Sequence, residues 1–135
     1  MTRHERQTTA ALTALIVLQI IMLTALYAGI RPHPPTATPL FGIAPFLGAS
    51  LSVAAAAIIL GPLHDASGRV LSLLAVVMAL VSFGPQKYLD AQFALIWPAV
   101  LLGQFAALVI VHRVVVAMRD RAGETEAQSA CADPV

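Results

Sequence analysis

The chain has 135 residues, 59% of them hydrophobic and only 11% charged. Soluble domains carry about 25% charged residues, and so short a chain cannot hide this much apolar surface in a water-surrounded core. Mean hydropathy is +0.82 and net charge +1, so lipid must be the main solvent and nothing in the charge points to a nucleic-acid or acidic partner.

A membrane span needs about 20 apolar residues. Residues 10–30, AALTALIVLQIIMLTALYAGI, predict the first. The preceding MTRHER resembles the charged start of a signal peptide, but the apolar run is too long and no A-x-A site follows it. Residues 40–60 predict the second span, with Thr38 and Pro39 placed as N-cap and first helical residue. Gly61-Pro62 ends it, because proline cannot continue the hydrogen-bond ladder. The apolar core of the third, Val70 to Phe83, covers only about 21 Å. It reaches a span of about 68–84 if Arg69 snorkels to the interface; a re-entrant hairpin is the alternative. Gly84-Pro85 ends it. The fourth span, 92–112, is capped by Asp90. Starting it at Pro98 instead would bury His112 and Arg113 in hydrocarbon. Pro45 and Pro98 predict kinks inside the second and fourth spans. Residues 122–135 lack apolar periodicity and read as a disordered cytoplasmic tail, which leaves one four-span domain over residues 1–121.

Alternating spans put Arg3, Arg6, Arg69, Arg113, Arg119 and Arg121 on one side and Arg31 and Lys87 on the other. Basic residues favour the cytoplasm. The predicted fold is therefore an all-α membrane protein, a four-helix transmembrane bundle with N and C termini cytoplasmic. The bias toward arginine and alanine suggests a GC-rich bacterial genome and hence a multi-pass protein of the bacterial inner membrane.

Small residues recur at four-residue steps. They are Ala44, Gly48, Ser52 and Ala56 in the second span, and Ala99, Gly103 and Ala107 in the fourth. The third carries Ser72, Ala75, Ala79 and Ser82. Helices in lipid associate where small residues let backbones approach. These grooves predict packing within the bundle or, where one faces outward, a partner. Gln19 and Gln104 are the amides deep in the spans and call for hydrogen-bond partners; lining a pathway is the other use for them.

Seven of eight aromatics fall at the outer side: Tyr27, Phe41, Phe46, Phe83, Tyr88, Phe93 and Trp97. Phe93 and Trp97 share a helix face. The segment SFGPQKYLDAQFALIWP is thus a turn between spans and also part of an aromatic rim, which anchors in lipid or docks a partner. Lys87 and Asp90 are spaced to pair across the turn.

No acidic residue or lysine lies within the apolar runs, which argues against a carboxylate-driven pump. There is no intramembrane glutamate of the small multidrug-transporter type. No metalloprotease, nucleophile-elbow or phosphate-loop motif is present, and the one cysteine, Cys131, makes no thiolate metal cage or intramolecular disulfide. The chain therefore reads as a non-enzyme with no cofactor. His64 and His112, both at cytoplasmic helix ends, are weak candidates for haem or quinone binding. The leading expectation is an accessory or assembly subunit that binds a larger membrane complex, or a second copy of itself, through small-residue faces and the aromatic rim. A small homo-oligomeric channel or transporter is the alternative.

Overall fold

The computed structural model describes residues 2–30 and 40–132. Among them all regular structure is helical, and four helices are long and apolar enough to cross a membrane. Helix α1 spans Arg3–Tyr27, α2 Leu40–Leu60, α3 Ala66–Phe83 and α4 Phe93–Ala132, with a 3-10 turn, η1, at Pro85–Leu89 between the last two.

Local chemistry sets the ends. Thr2 and Glu5 form a capping box at α1: Glu5 N donates to Thr2 Oγ1 at 3.2 Å, and Thr2 N to Glu5 Oε2 at 2.7 Å. Gly29, at φ +64°, follows the end of α1. Gly61, at φ +82°, turns the chain out of α2. Asp65 then caps α3, its Oδ1 accepting from Gly68 N at 2.6 Å. Thr38 and Pro39, expected to open α2, lie outside the described residues. Helix α3 begins at Ala66, so it recruits the residues before its apolar core.

The helices form a four-membered ring. Helix α1 packs on α2 and α4, and α3 packs on the same two. Among the described residues α1 and α3 also touch across the middle, whereas α2 and α4 do not meet. The core is built from small and medium residues, including Leu12, Leu15, Ala54, Ala57, Ala75 and Ile110. Alanine at these positions lets the backbones close together.

Two contacts set the register of α3 against α4. A Cβ on Gly103 would lie 3.0 Å from Phe83 Cβ, at the C-terminal end of α3. The Arg121 guanidinium donates to the His64 carbonyl, just before its N-terminal end. Helix α3 therefore runs beside residues 103–121 of α4, and residues 93–102 project beyond it. This register sets His112 and Arg113 level with the middle of α3, with His112 exposed and Arg113 half-buried.

Helix α4 also continues to Ala132, through the segment whose composition reads as disordered. Its 40 residues extend about 60 Å, roughly twice the hydrocarbon thickness. Alanine, glutamate and glutamine, frequent after Arg121, are strong helix formers and sustain the helix without an apolar face.

Candidate functional site

The end of α3 needs partners for its last carbonyls. Gln86 supplies them: its Nε2 donates to Leu80 O at 2.9 Å and Val81 O at 2.8 Å. This pins η1 over the helix end. Lys87 N donates to Gly84 O and Asp90 N to Lys87 O, which closes the turn. Phe93 N donates to Asp90 O at 2.9 Å and starts α4.

Two interactions hold η1 against α4. The Tyr88 and Phe93 rings meet edge to face, with centroids 5.2 Å apart. Tyr88 also reaches back along α4 and donates its hydroxyl hydrogen to Gln104 Oε1 at 2.7 Å. Gln104 Nε2 in turn donates to Phe83 O at 3.2 Å. One amide thus links η1, α3 and α4.

Beneath η1 lies a cavity of about 150 Å³ between α1, α3 and α4. Its walls are mostly apolar, with Leu18, Ile21 and Met22 from α1, Phe83 from α3 and Ile96 and Ala99 from α4; Ser82 adds a hydroxyl. At the η1 end it is lined by Lys87, Asp90 and Gln92. Lys87 Nζ donates to Asp90 Oδ2 at 3.3 Å, and both side chains are about three-quarters or more buried, at 26% and 19% exposure. Asp90 Oδ1 accepts from Gln92 N at 2.9 Å. That backbone hydrogen bond, aided by the Lys87 ammonium and outweighing desolvation, holds the Asp90 carboxyl below its ordinary pKa. The site is an apolar chamber with a fixed pair of opposite charges at one end.

The sequence-predicted residues do not gather at one place. Phe93 and Trp97 sit at this end of the bundle, Phe93 half-buried and Trp97 50% exposed. Gly103 and Ala107 are buried on the inner face of α4. In α2 the buried face is instead Leu47, Ser50, Ala54 and Ala57. Gly48 and Ser52 are exposed, Ala56 is half-buried, and nothing in the chain lies within 4 Å of a Cβ on Gly48. Gln19 is 2% exposed, and its Oε1 has no partner among the described residues. The structure therefore gives the two amides separate environments. His64 and His112 are both exposed. Among the described residues no three histidine, cysteine, aspartate or glutamate side chains gather as a metal site.

Sequence reasoning missed the chamber. Its polar end was signalled by the lone lysine beside an aspartate, but its walls come from three helices and carry no motif. No family model, curated protein or solved structure matches the chain.

Proposed function

We propose that the chain is a small multi-pass protein of a bacterial inner membrane, with both termini in the cytoplasm, and that it serves as an accessory or assembly subunit of a larger membrane complex. The observation that carries this reading is the outward α2 stripe. The small-residue stripes of α3 and α4 are turned largely into the bundle, whereas Gly48 and Ser52 face out with open space above Gly48. A groove of small residues admits the backbone of another helix. Trp97, half exposed at the rim, adds a rigid aromatic of the kind that dominates docking contacts.

The test is retention of co-purifying membrane proteins in mild detergent. Gly48→Leu and Trp97→Ala should each reduce retention while leaving the melting temperature unchanged, and Ile59→Leu should change neither. Equal retention in all of these would end the docking reading. The orientation is tested separately by reporter fusions after Val135 and within residues 31–39. Activity of the C-terminal reporter outside the cytoplasm would overturn it.

A further inference from the structure

We propose that the cavity between α1, α3 and α4 holds part of one acyl chain of a phospholipid whose headgroup carries a phosphate and a primary ammonium, the two charges being taken by Lys87 and Asp90. The inference rests on the membrane placement proposed above but not on partner docking.

The chamber has the size and lining of an apolar binding site. The pocket is open on one side and lined mainly by leucine, isoleucine, methionine and phenylalanine, and an apolar space of about 150 Å³ accommodates a guest of roughly six carbons. The guest most abundant beside a membrane-embedded chamber is an alkyl chain. Its depth along α1, from Leu18 to Ala25, is about 10 Å, which suits an extended chain segment rather than a compact ring.

The charged end selects the headgroup. Lys87 gives one hydrogen to Asp90, and an ammonium has three. Asp90 accepts from Gln92 N and from Lys87, and a carboxylate offers about four acceptor sites. Each therefore retains capacity for a ligand. A phosphate can join Lys87 while an ammonium joins Asp90, so the protein pair and the headgroup pair neutralise each other. An anionic headgroup would satisfy Lys87 but bring its phosphate against the Asp90 carboxylate. A choline headgroup has no N–H to donate. Partial burial of both side chains keeps solvent from fully screening these differences.

The experiment is a lipid competition on the purified full chain. Wild type in mild detergent is incubated with equimolar phosphatidylethanolamine, phosphatidylglycerol and phosphatidylcholine of matched acyl chains, and bound lipid is counted by native mass spectrometry. One phosphatidylethanolamine per chain should be retained over either competitor by about fivefold or more. Asp90→Asn should raise phosphatidylglycerol to parity, and Lys87→Gln should lose both. Ala99→Phe, which puts a ring into the chamber, should lose lipid whatever its headgroup. Equal binding of the three lipids by wild type would overturn the proposal, as would undiminished binding by folded Ala99→Phe, or recovery of a quinone in place of phospholipid. The wild-type competition needs no variant, so it decides even where a substitution prevents folding. Headgroup selection without co-purifying subunits would remove the docking reading and leave this one standing.

Discussion

Tyr88 donates its hydroxyl hydrogen to Gln104 Oε1 at 2.7 Å, across 16 positions of sequence. The bond ties the surface turn to a residue well inside α4, and Gln104 passes the link on to the Phe83 carbonyl. Such bonds contribute about 0.6 kcal/mol on average between membrane helices. Tyr88→Phe should therefore destabilise modestly in detergent unfolding. Gln104→Leu should cost more, because it removes both links at once. The double variant should be no less stable than Gln104→Leu alone. Full additivity would show that the two side chains are not coupled.

Gly103 sits where α4 crosses the end of α3, and its missing side chain is what lets Phe83 lie there. An added Cβ would stand 3.0 Å from Phe83 Cβ and 3.2 Å from its ring. Gly103→Ala should lower stability by about 1–3 kcal/mol through overpacking. Phe83→Ala, placed in the same chain, should cost less than the sum of the two single losses, since it removes the ring atoms at 3.2 Å and leaves only the Cβ contact. Melting curves of the single and double variants measure this, and full additivity would mean that another contact sets the cost.

Gly68 is the more stringent position. A Cβ there would fall 2.1 Å from the Gly61 carbonyl oxygen. The obstacle is backbone held in a left-handed turn at φ +82°, not a side chain that can rotate. Gly68→Ala should therefore cost more than Gly103→Ala, about 3 kcal/mol or above. Circular dichroism of the variant during thermal unfolding reads this directly. A loss equal to or smaller than that of Gly103→Ala would show that the turn yields.

Asp90 gives the site a pH dependence of known sign. Its folded pKa lies below the ordinary carboxylate value, chiefly because of the bond from Gln92 N. A carboxyl lowered in this way stabilises the fold above its unfolded pKa of about 3.9, and that contribution is lost as pH falls through the folded value. Wild-type melting temperature should thus drop in acid below about pH 4. Asp90→Asn should be less stable near neutrality and show a shallower acid drop. Parallel profiles for the two would assign the acid sensitivity to other groups.

Much of the fold was legible because long apolar runs and the residues that end helices follow simple rules. Four apolar runs, with Gly-Pro pairs after two of them, predict four helices; the bounds of α2 and α3 match closely, whereas α1 starts earlier, at Arg3, and α4 runs on to Ala132. Gly61-Pro62 predicts the end of the second helix, and Gly61, at φ +82°, turns the chain out of α2 there. The face of each helix was harder. Ala44, Gly48, Ser52 and Ala56 form as regular a stripe as Ala99, Gly103 and Ala107, yet α2 buries Leu47, Ser50, Ala54 and Ala57 instead. In a helix that is apolar all round, periodicity does not mark the buried side, because lipid and core accept the same residues.

The sequence by itself determined the number of helices, the Gly-Pro stops after the second and third, and the polar, aromatic character of the α3–α4 turn. These follow from local hydropathy and from backbone chemistry within a few residues of each boundary. Only the tertiary structure decided which stripe of α2 stays open, how α3 is registered against residues 103–121 of α4, and that three helices leave a chamber beneath Lys87 and Asp90. Those outcomes depend on side chains far apart in the chain meeting at contact distance, as Phe83 meets Gly103 and Tyr88 meets Gln104. Contact at that range is set by the fit of whole helix surfaces, which no single span encodes.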